Sequence, residues 1–189
     1  MLKDKEIAFL GSYAANTSVV SEIIDRLKLD LSKMEYSTEE VFEIIISMDE
    51  TISNAIKATI ENTKNAPEKL HVTIRYSVSE TEFDATIIDH GTGFDFYQTL
   101  NATPNSKSDD YHDQVISYTI NKEKSRSSIE VNNEKISLNG IGAGLKIILS
   151  FMDTVSVEYI DKKEIIASSV SESTDGTILS MKRKRRIFN

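Results

Sequence analysis

The sequence predicts an α+β protein: a two-layer α/β sandwich in which helices cover one face of a mixed, mostly antiparallel sheet. Three observations predict it. Near the start, two stretches carry apolar residues at helical spacing. Further on, stretches alternate apolar and polar residues and are joined by short turns, the pattern of antiparallel strands with one buried face. Helical and strand-like stretches are also segregated along the chain, which points to layers rather than to an alternating β–α array.

The elements follow in order. Residues 5–13, KEIAFLGSY, read as a strand. Asn16, Thr17 and Ser18 offer helix caps, and Val20, Ile23, Ile24, Leu27 and Leu31 place a helix over 18–31. Ser37 and Glu40 have capping-box spacing before a long helix over 38–63. Its apolar stripe is Val41, Ile45, Met48, Ile52, Ala55 and Ile56. LHVTIRYSV (70–78) and FDATIID (83–89) form a hairpin. Residues 95–139 are mostly polar and read as a long lid, with short helices near 95–100 and 111–121. A helix over 143–152 follows. A meander of strands at 154–160, 164–170 and 177–182 closes the fold, and the basic tail 182–189 reads as a solvated end or a patch for an acidic partner.

Composition narrows the class. With 39% hydrophobic and 28% charged residues, the 189-residue chain suits one soluble domain, 1–189. No apolar run reaches membrane-spanning length, and the first residues lack the apolar core of a leader; together they point to the cytoplasm. The absence of cysteine removes disulfide and thiolate chemistry. Net charge is −8, and taking away the five charges of Lys182–Arg186 leaves −13, which argues against direct nucleic-acid binding.

Glycine placement locates the chemistry. Six of the seven glycines fall in three places: Gly91 and Gly93, then Gly140, Gly142 and Gly144, then Gly176. In NGIGAGLKIIL the glycines run into an apolar helix, so bare backbone and unpaired N–H groups would face a phosphate. It is not a Walker-type loop, because Leu145 follows Gly144 where that loop has lysine. Glu50 and Asn54 lie one turn apart, opposite the apolar stripe, and suit a general base beside an oxygen ligand for magnesium. Asp89 ends an apolar strand before Gly91 and Gly93, so its carboxylate could accept from the exocyclic amine of a flat base. Taken singly, these features have plainer explanations: a loose loop, a solvated helix face and an Asx turn. Their order and spacing together are specific.

That order resembles the ATP-binding domain shared by gyrase, heat-shock chaperones, histidine kinases and mismatch-repair ATPases, the Bergerat-type fold. Within it, the chain most resembles single-domain anti-sigma-factor serine/threonine kinases, over residues 5–183. SMDETISNAI, IIDHGTGFD, NGIGAGLKIILSFMD and DGTILSMKR match the boxes of that family. The resemblance implies Glu50 as catalytic base and Asn54 as ligand to Mg2+ on the phosphates of ATP. It places Asp89 and Thr177 at the adenine, Gly91 and Gly93 beside the ring, and Gly140, Gly142, Gly144 and Leu145 along the triphosphate. It implies transfer of the ATP γ-phosphate to a Ser/Thr of an antagonist partner, an anti-anti-sigma-type protein, with a sigma factor as a further partner, a possible homodimer and regulation of transcription. The alternatives are a nucleotide-gated binding module without turnover and a sensor-kinase-like ATPase. Family members often carry histidine four residues after the box asparagine, where this chain has Ala58.

Overall fold

The computed structural model describes residues 5–62, 67–93, 128–131, 134–137 and 143–186. In chain order the elements are β1 (Glu6–Ala14), α1 (Ser18–Lys33), α2 (Thr38–Asn62), a 3-10 turn (Pro67–Lys69), β2 (His71–Ser79), β3 (Glu82–Asp89), β4 (Ser128–Val131), β5 (Glu134–Ser137), α3 (Ala143–Phe151), β6 (Thr154–Asp161), β7 (Ile166–Ala167) and β8 (Thr174–Lys184). They form the expected two-layer sandwich. Six strands make one sheet in the order β1-β2-β3-β8-β6-β7, and β4-β5 is a separate hairpin. Every pairing among the described strands is antiparallel.

Alternation builds the sheet's inner face. Phe9, Tyr76, Ala85, Met181 and Val155 stand opposite one another across five strands. The first four are buried and Val155 packs against the same core. Residues one step along, such as Arg75, Asp84 and Lys182, face outward and pair in water, Asp84 with both cations at 3.7 and 3.2 Å. α1 buries Val20, Ile23, Ile24, Leu27 and Leu31 as its spacing requires. On α2, Met48, Ile52, Ala55 and Ile56 are buried, and Val41 and Ile45 partly so.

The buried arc of α2 is wider than its apolar stripe, because the helix packs against both α1 and α3. Ser47 and Thr51 enter it with their hydroxyls satisfied by the carbonyls of Glu43 and Ser47, at 2.9 and 2.7 Å. The start of α2 is the capping box read from the sequence. The Ser37 N–H donates to Glu40 Oε2 at 3.1 Å, and the Glu40 N–H donates to Ser37 Oγ at 3.2 Å. We expect Ser37→Ala to lower stability by about 1 kcal/mol in urea denaturation; an unchanged midpoint would show that the cap is redundant.

Three expectations are corrected. The strand over 164–170 is only Ile166–Ala167. The Asp161 carboxylate accepts from the N–H groups of Lys163 and Ile165, both at 2.8 Å, so a side chain holds backbone that a ladder would use. The polar stretch 95–139 contains the β4–β5 hairpin; the helices expected near 95–100 and 111–121 lie outside the described residues. The basic tail is not a solvated end. Lys182, Arg183 and Lys184 continue β8, and alternation turns Arg183 inward, where it is 3% exposed. There Arg183 pairs with Glu43 and donates to the carbonyl of Phe151. Arg185 lies over the Tyr36 ring, 5.0 Å from its centroid, and Arg186 pairs with Glu39 at 3.1 Å. Among the described residues, no helix is long and apolar enough to cross a membrane.

Candidate functional site

Glu50, Asn54, Asp89, Gly91, Gly93 and Thr177 fall in two clusters, and α2 connects them. In the first, Asn54 Nδ2 donates to Glu50 Oε1 at 3.2 Å, one helical turn apart. Asn54 is exposed and Glu50 half-buried, as expected for the side away from the core. The bond engages the donor end of the amide, which leaves its carbonyl oxygen as the end available to a cation. That suits magnesium, which takes one or two protein oxygens and fills its remaining positions with phosphate and water. Among the described residues, no group of three or more His, Asp or Glu side chains is placed to hold a metal by itself.

The second cluster is the end of β3. Asp89 stands opposite Thr177 of β8. Its Oδ1 accepts from the Gly91 N–H at 2.7 Å, and it also bonds the hydroxyl and backbone of Thr177. Burial pushes its carboxyl up to about 6, against the bonds from Gly91 and Thr177, which pull the other way. A carboxylate kept in so poorly hydrated a place gains from an additional donor.

Close packing explains two of the glycines around it. A Cβ on Gly91 would stand 2.8 Å from the Cβ of Ala58. The small residue at 58, where the resembling family often has histidine, is what α2 presents to this turn. A Cβ on Gly176 would stand 2.7 Å from the carbonyl oxygen of Asp89. Gly93 has φ +73°, a conformation few other residues adopt readily.

The structure therefore brings Asp89, Gly91, Gly93 and Thr177 together at one end of the sheet, and Glu50 with Asn54 on α2. Ala58, Asn54 and Glu50 follow at four-residue steps, about 6 Å each along the helix. The turn after β3 thus touches the same helix one turn from the amide and two turns from the carboxylate. Gly144 sits in the first turn of α3 rather than in a loop. Leu145 is half-buried and packs with Leu149, Val157 and Tyr159. Gly140 and Gly142 lie outside the described residues.

Sequence reasoning missed the residues that clamp the turn after β3. The Thr59 hydroxyl accepts the His90 N–H at 3.1 Å, and Asn62 Nδ2 donates to the His90 carbonyl at 2.8 Å. His71 meets His90, and Lys69 pairs with Asp175. Only the helical spacing of 58, 59 and 62 beside a glycine turn could have hinted at the clamp.

No protein-family model matches the chain. It is similar to serine-protein kinase RsbW of Bacillus subtilis (strain 168), at 26% identity over 127 residues. That match spans 67% of this chain and 62% of the relative's own length. In structure it is similar to a chain in the SiaB-SiaC complex from Pseudomonas aeruginosa, with a TM-score of 0.50 and 12% sequence identity, covering 94% of this chain and 89% of the other. The second likeness is one of fold alone.

Proposed function

We propose that this protein binds ATP between α2 and the end of β3 and transfers its γ-phosphate to a serine or threonine hydroxyl of a partner protein. One observation carries the reading: Gly91 packs on Ala58, which brings the turn after Asp89 against α2 one helical turn from the Asn54 amide and two from the Glu50 carboxylate. Similarity to a serine-protein kinase supports the choice of acceptor.

Each residue then has a task. Asp89 accepts from the adenine amine, and Thr177 holds the carboxylate in place. Gly91 and Gly93 let the backbone pass close to the ring, while Gly140, Gly142, Gly144 and Leu145 would line the triphosphate. Asn54 would hold Mg2+, which when bound neutralises charge developing on the phosphates. Glu50 takes the proton from the attacking hydroxyl. The new bond joins that oxygen to the γ-phosphorus, the bond from the γ-phosphorus to the β-γ bridging oxygen breaks, and ADP leaves with the electron pair. By the resemblance described above, the partner is an anti-anti-sigma-type protein whose phosphorylation switches its binding.

Calorimetry with Mg-ATP, followed by incubation with radiolabelled ATP and the proteins encoded beside it, tests this. Binding followed by phosphoserine or phosphothreonine on a partner is expected. Binding without transfer would favour a nucleotide-gated module, and absence of binding would remove both readings.

The raised carboxyl of Asp89 gives a further expectation. Its charged form is the stronger acceptor for the amine, so affinity for ATP should be level above about pH 6 and fall as pH drops below it. The linkage to folding runs the other way. The folded state keeps this proton up to about 6, whereas the ordinary value is 3.8, so this group's contribution to stability is lost as pH rises through that window. Titrations of ATP between pH 5 and 8 check the first statement. A flat profile would mean that Asp89 does not meet the base.

A further inference from the structure

We propose that His71 and His90 form a latch that positions Asp89 and thereby sets which base the site accepts; the inference rests on the nucleotide reading given above. His90 lies directly between Asp89 and the glycine turn, and α2, β2 and β8 hold it. From α2, Thr59 and Asn62 fix its main chain on both sides, at 3.1 and 2.8 Å. From β2, His71 meets it Nε2 to Nε2 at 3.3 Å, with the rings 4.6 Å apart and edge-on at 65°. From β8, the backbone of Asp175 bonds its ring. Asp175 in turn pairs with Lys69 on the turn before β2 and precedes Gly176, the residue pressed against the Asp89 carbonyl.

This is more than packing requires. A neutral imidazole has one donor and one acceptor, so a ring bonded to both His71 and Asp175 is held in one tautomer. Burial, His71 and Lys69 all favour its neutral form, and only Asp175 opposes them. Among the described residues, those three are the charged or titratable groups that act on it, and Asp89 precedes it in the chain; α2 contributes the neutral Thr59 and Asn62. A bond between two rings survives one added proton, which the donor ring can carry, but not two, since both facing nitrogens then bear hydrogens. The consequence falls on Asp89, one peptide bond away. Its carboxylate discriminates between bases only where it meets an exocyclic amine; guanine presents a carbonyl at the corresponding position, which a carboxylate repels. Freed from the latch, the end of β3 can shift and that discrimination weakens.

The test is calorimetry of ATP and GTP at pH 7.5 on the parent, His71→Phe and His71→Gln. His71→Phe should weaken ATP about fivefold, the worth of one net hydrogen bond, and lower the ATP-to-GTP affinity ratio, with little change in melting temperature. His71→Gln, whose amide can still donate to His90, should recover part of that ratio. A lowered melting temperature with the ratio unchanged would overturn the latch and leave a structural pair. A parent that binds neither nucleotide would overturn the nucleotide reading itself, and the latch with it. Should His71→Phe not fold, the parent's imidazole proton resonances serve instead: ATP that leaves both rings unmoved overturns the proposal, and shifts that GTP does not reproduce support it.

Discussion

Glu50→Gln should bind ATP about as tightly as the parent and transfer phosphate 10²- to 10⁴-fold more slowly, the usual worth of a positioned general base. The choice of glutamine matters. Its side-chain oxygen can still accept from Asn54 Nδ2, which reaches Glu50 at 3.2 Å, so the pairing on α2 and the orientation of the amide are kept. Only the ability to take a proton is removed. Glu50→Ala removes both, and the difference between the two variants measures what the carboxylate does for Asn54. Single-turnover phosphorylation of a partner, beside calorimetry of Mg-ATP, separates chemistry from binding. Transfer by Glu50→Gln at the parental rate would show that the carboxylate is not the base.

Arg183→Ala should cost about 3–5 kcal/mol in urea denaturation, the range for breaking a buried ion pair from one side. Both partners are sealed from water, Arg183 at 3% and Glu43 at 2% exposure, so the carboxylate left behind cannot recover its hydration. Arg186, 3.5 Å from the other oxygen of Glu43, relieves part of this and places the effect near the lower end. The Phe151 carbonyl also loses its donor at the last residue of α3. Replacing both partners by apolar residues of similar volume should recover most of the loss. Lys182→Ala, one step along on the exposed face, should stay within about 0.5 kcal/mol. A loss below 1 kcal/mol for Arg183→Ala would contradict the buried pair.

These two expectations differ in how far the sequence could lead to them. Glu50 and Asn54 were legible because helical geometry alone puts residues four apart together, and an apolar stripe fixes which side faces out. The α+β layers, the capping box at Ser37 and the meander came from equally local signals. Asp89 and Thr177 could be proposed together only through the resemblance, since their pairing joins strands far apart in the chain. Arg183 was misread for a related reason. Five consecutive cations look solvated, but the alternation of Thr177, Leu179 and Met181 already pointed position 183 inward. Its partner, Glu43, lies 140 residues away, where no local pattern reaches. The pair His71 and His90 is hidden in the same way, and the β4–β5 hairpin has strands of only four residues inside a polar stretch, too short for alternation to stand out.

β8 pairs with β3, made long before it, on one side and with β6, made shortly before it, on the other. On the ribosome, the two parts of the sheet therefore wait, each with an open edge, until residues 174–184 emerge. Thr177 and Arg183 arrive on that same strand, so joining the sheet, setting Thr177 opposite Asp89 and locking α2 to α3 become one event. A nascent chain stalled before that point has both edges exposed, which makes the interval its most aggregation-prone stage of synthesis.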